Sequence, residues 1–380
     1  MTAETNGYKP GLEGVVAAET RLSSVDGQKG ELIIGGFAIE ELASHAAFEE
    51  VCYLLWHDAD LPTQAELTAF QQELAALRQL PGATLHLLEE AASYKVHVMD
   101  ALRSAAGSLD LDLGETDDLQ RAKALTARIP TVVAAYWRLR QGKAPVAPRQ
   151  DLGHTANYLY MLTGEVPSPA RVRGMETYLN TVSDHGLNAS TFTARVIIAT
   201  QSDMVSAVTG AIGALKGPLH GGAPGPALDM VFEIGQADRA EPYLRAMLDR
   251  GERLMGFGHR VYKVRDPRAD VLAHAAEKMY QADGDMRLYE LAKTVESVAI
   301  RLLDEYKPGR NLRTNVEFFT ALLLHGLDLD TDLFTPTFAV GRVAGWVGHC
   351  FEQQRTGRLI RPQSVYIGER DRPWVPVEAR

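Results

Sequence analysis

Thr63-Gln-Ala-Glu-Leu-Thr-Ala-Phe-Gln-Gln-Glu-Leu-Ala-Ala-Leu77 is the stretch that decides the class of the fold. Thr63 and Glu66, directly after Pro62, form the Ser/Thr-x-x-Glu signature of a helix start. Leu67, Phe70, Leu74 and Leu77 then recur at three, four and three residues, the apolar stripe of one helical face. Val205, Val208, Ile212 and Leu215 repeat the spacing, and Leu288, Leu291, Val295, Val298 and Leu302 carry it through a longer segment. Strand signals are confined to the start of the chain. There Asp26-Gly27 and Gly30 punctuate a run into Leu32, Ile33 and Ile34 before Gly35-Gly36, which reads as a small hairpin. No strand–helix alternation follows, so a doubly wound nucleotide-binding sheet is disfavoured and an all-α fold with a small N-terminal β-hairpin is expected.

The chain has 380 residues, 46% hydrophobic and 23% charged, with Gly 33 and Pro 18, values that exclude whole-chain disorder and collagen-like repeats. With 39 basic against 49 acidic residues the net charge is −10, which argues against nucleic acid as a partner because phosphate binding needs a dense positive surface. Cys52 and Cys350 are too few for a disulfide framework and read as buried thiols in a reducing compartment. Met1 to Pro10 lacks the apolar run of a secretory signal, and no segment reaches 18 uncharged apolar residues, so no membrane is expected and a cytoplasmic location is.

Turn-rich punctuation falls at Gly142–Pro148, Gly217–Pro226 and Lys307–Gly309. The second is the densest, and with Pro218, Gly221, Gly222, Pro224, Gly225 and Pro226 it is not expected inside a helix. It suggests a larger helical unit of residues 1–222 and 331–380 with a smaller one, 223–330, inserted.

Three histidines sit beside glycines: His185 in Asp-His-Gly, His220 in Leu-His-Gly-Gly and His259 in Gly-His-Arg. Glycine lets backbone N–H groups and an imidazole approach the same small ligand. One such histidine is ordinarily structural, but three in glycine-rich turns point to a site. Arg253, Arg260, Lys263, Arg265 and Arg268 face only Asp266 across 253–268, a local charge of +4 bounded by turn residues that suits a phosphate or carboxylate. Arg342 and Arg361 lie in apolar company, where a planar guanidinium pairs either with a di-acid ligand or with a structural carboxylate. Glu317, in Asn-Val-Glu-Phe-Phe, is either a general base raised by desolvation or a paired structural glutamate. The dyad His57-Asp58 could prompt a metal phosphohydrolase, yet Trp-His-Asp-Ala-Asp-Leu-Pro just before a capped helix reads as an exposed turn.

Together these stretches resemble the citrate synthase family from about Gly11 to Gly368. The matching motifs are residues 24–30 (Ser-Val-Asp-Gly-Gln-Lys-Gly), 97–103, 157–164, 184–192, Gly217-Pro-Leu-His-Gly-Gly222, Gly256-Phe-Gly-His-Arg-Val-Tyr-Lys263 with Asp266-Pro-Arg268, and Arg358-Leu-Ile-Arg-Pro362. The resemblance implies an acyltransferase: a homodimer whose small domain closes over oxaloacetate and acetyl-CoA and joins them into citrate, releasing CoA, with no tightly bound cofactor and no metal. By position it implies that His220 stabilises the enol oxygen, Glu317 removes the methyl proton, and His259 binds and protonates the oxaloacetate carbonyl. His185, Arg268, Arg342 and Arg361 would hold oxaloacetate, Arg361 reaching in from the other subunit. Met255, Gly256, Phe257 and Gly258 resemble the adenine-binding turn, Lys263 and Arg265 would meet phosphates, and Asn315 the pantetheine arm.

The chain departs from the family pattern in two places. Glutamate stands at 317 where the best-known members carry aspartate, and the extra methylene moves the carboxylate by about 1.5 Å. Residues 221–226 lack the acidic or amide residue expected after Gly-Gly-Ala, and Pro224 and Pro226 would stiffen that loop. The nearest rival is a 2-methylcitrate synthase, differing by one methylene of substrate. A non-catalytic oxaloacetate-binding paralogue is a third reading.

Overall fold

Thr63 caps the helix Gln64–Ala76: its Oγ1 accepts from the Glu66 N–H at 3.3 Å while the Glu66 carboxylate accepts from the Thr63 N–H at 2.8 Å. This reciprocal pair satisfies two N–H groups that a helix start leaves without partners. The other two periodic stretches form the helices Met204–Leu215 and Met286–Tyr306. The computed structural model describes residues 8–222, 225–259, 261–283 and 285–380. Pro224 and Arg260, and most of the Met1–Pro10 segment, lie outside the described residues. Among the described residues the fold is all-α, with sixteen α-helices and one small sheet. None of these helices is long and apolar enough to cross a membrane.

The expected hairpin is a three-stranded antiparallel sheet: β1 (Ser23–Asp26), β2 (Glu31–Ile34) and a two-residue β3 (Phe37–Ala38). Gly35-Gly36, read as the end of the strand region, is instead the turn that sends the chain back. Both glycines have positive φ, at 55° and 88°. Register pairs Ser23 with Ile34 and Asp26 with Glu31, and β2 alternates so that Leu32 and Ile34 are buried. The Asp26 side chain closes the 27–30 turn by accepting from Gln28 and Lys29 N–H groups at 3.0 Å each.

The turn-rich stretch after Leu215 also differs from expectation. Residues 216–222 form a loop, but Gly225 and Pro226 open the helix Gly225–Ile234. Proline is tolerated there because a first-turn N–H has no helical partner to lose.

The core is threaded by the helix Phe334–Thr356, buried along most of its length. Gly341, Gly345 and Gly348 share one face, and a methyl on each would lie 2.9 Å from Leu179 O, 2.3 Å from Ser183 O and 2.7 Å from Leu55 O. Neighbouring backbones therefore approach where no larger residue fits. One is the end of the helix Pro169–Val182, which leads into the His185 loop, and the Gly345 N–H donates to Ser183 O at 3.1 Å. Cys52 and Cys350 are buried free thiols. The helix Pro267–Asp283 packs both on Val316–Gly326 and on Pro169–Val182. It thereby brings the 253–268 segment against the His185 loop.

Gly345→Ala is expected to lower the unfolding free energy by about 1–3 kcal/mol through overpacking, and Thr63→Ala by about 1 kcal/mol through the lost cap. Urea denaturation of both variants checks the ranking. Equal stability of Gly345→Ala and the parent would contradict the close-approach reading.

Candidate active site

The three histidines are carried by loops whose geometry glycine or a cap makes possible, while Arg268, Glu317 and Arg342 stand on helices. The 183–188 loop joins two helices, turns at Gly186 with φ of 59°, and ends where Asn188 caps the helix Ala189–Ile198. In the next loop a methyl on Gly221 would lie 2.2 Å from Leu215 O, so glycine is required beside His220. Thr335 Oγ1 donates to Gly221 O at 2.8 Å and ties this loop to the central helix. Gly256 and Gly258, both with positive φ, pair with the 313–315 segment: Asn315 N–H donates to Gly256 O at 2.9 Å and Gly258 N–H to Arg313 O at 2.7 Å.

These loops converge on a cavity of about 410 Å³. His185, His220, His259, Arg268, Glu317 and Arg342 all line it, beside Tyr178, Phe338 and Thr320. Arg361 is not among them. It lies on the exposed segment that follows the helix Phe334–Thr356.

Burial sets the charge states. It pushes His220 and His259 down to about 4, aided by Arg342 for the first and Arg268 for the second. His185 falls well below its ordinary value from burial and from Arg268, Arg342 and His259. All three imidazoles are neutral at pH 7. The tautomer of His259 follows from its contacts: Nδ1 accepts from the N–H groups of Val261 and Tyr262 at 3.0 Å each, so Nε2 carries the proton. The 3.5 Å approach of Arg268 to that Nε2 therefore sets two donors side by side rather than making a bond. The His185 Nε2 meets the Tyr262 hydroxyl at 3.1 Å.

The buried Arg268 is gripped by Asp266 through Nε at 3.0 Å and a terminal nitrogen at 2.8 Å, which fixes its plane. Arg342 donates from Nε to Val182 O at 2.5 Å and stacks over Phe338 at 4.8 Å. Burial lowers it to about 10, against the pull of Asp184, and Arg268 adds to the lowering. Its fork remains for an anion in the cavity. Glu317 begins the helix Val316–Gly326, where Asn315 Oδ1 accepts the Glu317 N–H at 2.9 Å. Burial raises the Glu317 carboxyl, with Arg268 opposing, and no hydrogen bond to the carboxylate occurs among the described residues.

The structure adds Ser190, which the sequence reading missed, and gives the partners of the residues expected to meet CoA. Ser190 Oγ meets the His220 Nε2 at 2.7 Å, accepts from Trp346 Nε1 at 3.0 Å and faces Asn188 Oδ1 at 2.8 Å. Its only sequence signal is its place after Asp-His-Gly-Leu-Asn. Asn315 has its amide nitrogen on Gly258 O at 2.9 Å, so it knits the 256–258 turn to the helix of Glu317. Arg265 uses its guanidinium on Glu296 at 2.9 Å and Asp270 at 2.5 Å. Lys263 lines a separate recess with Arg310 and Arg313. The dyad His57-Asp58 sits in a turn where His57 stacks on Tyr53 at 3.9 Å and Asp58 pairs with Arg355 at 2.7 Å.

Neutral imidazole donors, guanidinium forks and one raised carboxylate in a single cavity define an enzyme site for removing a proton beside a carbonyl while an anionic partner is held. The sequence model of the family described as citrate synthase, C-terminal domain, matches residues 11–363. A citrate synthase of Haloferax volcanii is 44% identical over 382 residues, spanning 98% of this chain and 99% of that one. A 2-methylcitrate synthase of Mycobacterium tuberculosis is 39% identical over 380 residues, 98% of this chain and 94% of its own. The crystal structure of citrate synthase from Pyrobaculum aerophilum superposes with a TM-score of 0.87 at 38% identity over 97% of this chain and 95% of that one. That of Thermoplasma acidophilum citrate synthase, a ternary complex with carboxymethyl coenzyme A and oxaloacetate, gives 0.85 at 30% identity over 97% of this chain and 98% of that one. The chain belongs to the citrate synthase family.

A histidine whose folded pKa lies below its unfolded value binds fewer protons when folded, so it costs stability as pH falls from about 6.5 towards 4. NMR titration of the imidazole carbons is expected to give midpoints near 4 for His220 and His259. Midpoints near 6.5 would contradict the desolvated site.

Proposed function

We propose that the protein condenses acetyl-CoA with oxaloacetate and hydrolyses the citryl thioester to citrate and CoA. The observation that carries this reading is the convergence of His220, His259 and Glu317 with His185, Arg268 and Arg342 on one cavity. Oxaloacetate places its carboxylates against Arg268 and Arg342 and its carbonyl oxygen at the His259 Nε2–H, which polarises the carbon to be attacked. The Glu317 carboxylate takes a methyl proton from acetyl-CoA, and His220 donates to the thioester oxygen as negative charge gathers there. The enol carbon attacks the polarised carbonyl, the His259 Nε2–H passes its proton to the resulting alkoxide, and the proton that Glu317 took from the methyl group returns to His259 through water. Water then cleaves the thioester.

The donor role of His220 sets a condition on Ser190. With Nε2 facing Ser190, the nitrogen left for the thioester is Nδ1. Nδ1 bears the proton only when the Ser190 hydroxyl donates to Nε2 rather than to Asn188 Oδ1. The neutral ring supports this role, because an imidazolium would protonate rather than share.

For CoA, the 255–258 turn takes the adenine and Lys263 a phosphate, with Arg310 in the same recess as a second cation. Arg265, occupied by Glu296 and Asp270, acts on the turn rather than on phosphate. Asn315 reaches the pantetheine arm from the position where it caps the helix of Glu317. The working unit is a homodimer in the cytoplasm. Residues 223–330 close as a small domain on a body of 1–222 and 331–380, and Arg361 completes the partner's oxaloacetate site.

The test is thiol release from acetyl-CoA and from propionyl-CoA, each with and without oxaloacetate. Oxaloacetate-dependent release favouring acetyl-CoA is expected. Preference for propionyl-CoA would assign the 2-methylcitrate reaction, and release from neither would leave a binding protein. Glu317→Gln is expected to lower kcat by about 10²–10⁴, and Glu317→Asp, by withdrawing the carboxylate, by about a hundredfold. Because burial raises Glu317, kcat falls on the acid side with a midpoint above the ordinary glutamate value. Arg361→Ala and His220→Ala, each inactive alone, are expected to regain activity when co-expressed as mixed dimers. No regain would contradict a shared site.

A further inference from the structure

We propose that Ser23 is a positioning residue for oxaloacetate and that the β1–β2 hairpin is a brace holding His185 and His259 at their working separation. The inference rests on the oxaloacetate reading above and concerns Ser23 together with the Ser24-Val-Asp-Gly-Gln-Lys-Gly30 motif that directly follows it, to which that reading gives no task. Ser23 Oγ donates to Asp184 Oδ2 at 2.5 Å and accepts from the Gly186 N–H at 2.8 Å. One hydroxyl thus grips the residues on either side of His185.

Asp184 is fully buried, and among the described residues its other oxygen, Oδ1, has no hydrogen-bond partner. Among these residues the carboxylate is held through Oδ2, by Ser23 and by the His349 Nε2 at 3.2 Å. His349 is oriented in turn: its Nδ1 faces Arg195 at 2.9 Å, and Arg195 binds Glu352 at 2.7 Å. Glu352 returns to the segment before β1 by accepting the Arg21 N–H at 2.8 Å. Removal of the Ser23 hydroxyl therefore takes away one of the two hydrogen bonds to the Asp184 carboxylate and the acceptor of the Gly186 N–H.

The far end of the same hairpin clasps the loop of His259. Lys263 N–H donates to Gly27 O at 2.8 Å. A methyl on Gly27 would lie 2.3 Å from Val261 O, and one on Gly30 would lie 2.9 Å from Arg265 O. Between the two clasps Tyr262, buried, bonds His185 and packs against His259 with ring centres 4.9 Å apart, while the two imidazoles are 6.4 Å apart. The glycines of the motif thus let one short ribbon touch both histidine loops. Ser23, at the His185 end of the ribbon, bears on oxaloacetate, whereas Lys263 of the proposed CoA recess is held at the opposite end.

Isothermal calorimetry of oxaloacetate binding and steady-state kinetics on the full chain test this with Ser23→Ala and Ser23→Thr. Loss of a hydrogen bond to a charged group is expected to weaken oxaloacetate binding about tenfold in Ser23→Ala and to raise its KM alike. The KM for acetyl-CoA and the Tm should stay near the parent values, and threonine, which keeps the hydroxyl, should restore binding. Equal oxaloacetate affinity in Ser23→Ala and parent overturns the brace while the functional reading stands. A rise in both KM values with a lowered Tm and no rescue by threonine also overturns it. Failure of the parent to bind oxaloacetate overturns both readings. Should Ser23→Ala not fold, Gly27→Ala drives the clasp apart from its other end, and unchanged oxaloacetate affinity there overturns the brace.

Discussion

Withdrawal of three imidazoles from water, beside two guanidiniums, is the constraint on which the rest of the site depends. Desolvation and the positive charge of Arg268 and Arg342 act in the same direction on His185, His220 and His259, so none of the rings is cationic near neutrality. The positive charge of the cavity is left to the arginines, and the histidines become neutral hydrogen-bonding groups, with the donor fixed at Nε2 for His259. Glu317 shares the cavity and is moved the opposite way by the same burial. Acid and base tasks are thus separated by environment rather than by residue type.

That environment is built by backbone approach. The strip of Gly341, Gly345 and Gly348 on the central helix brings Ser183 O and Leu179 O within reach, and Arg342 stands beside it, aimed from a rigid element into the cavity. Arg268 and Glu317 stand in the first turns of helices and the three histidines hang on loops, with further ties from Thr335 to Gly221, Asn315 to Gly258 and Asp266 to Arg268. These ties place groups from distant parts of the sequence around a volume fit for a small di-acid.

Much of this was legible before the structure. Helical periodicity gave the fold class, and the capping pair at Thr63 and Glu66 gave a helix start to within a residue. Glycine-flanked histidines and Glu317 in apolar company marked side chains that do meet in one cavity. The third strand was missed because β3 is two residues long, below any alternation signal. Gly225-Pro226 was misread because proline breaks a helix interior but suits its first turn. Ser190 and Tyr262 lie inside quoted motifs and Ser23 directly before one, but nothing in the local sequence gives their partners. They earn their places by contacts across 30, 77 and 161 residues of sequence. The basic run of 253–268 looked like one anion site, whereas long-range partners divide it: Arg265 goes to Glu296, Arg268 to the cavity and Lys263 to a neighbouring recess.

The central claim is that the imidazoles are neutral and remain donors when the anion arrives. Calorimetry of oxaloacetate binding at pH 7 in buffers of differing ionisation enthalpy reads it directly, because any proton taken up by the protein is drawn from the buffer. The account predicts the same binding enthalpy in every buffer, hence no net proton uptake. An uptake approaching one proton per site would mean that a histidine becomes cationic to meet the ligand, and would contradict it.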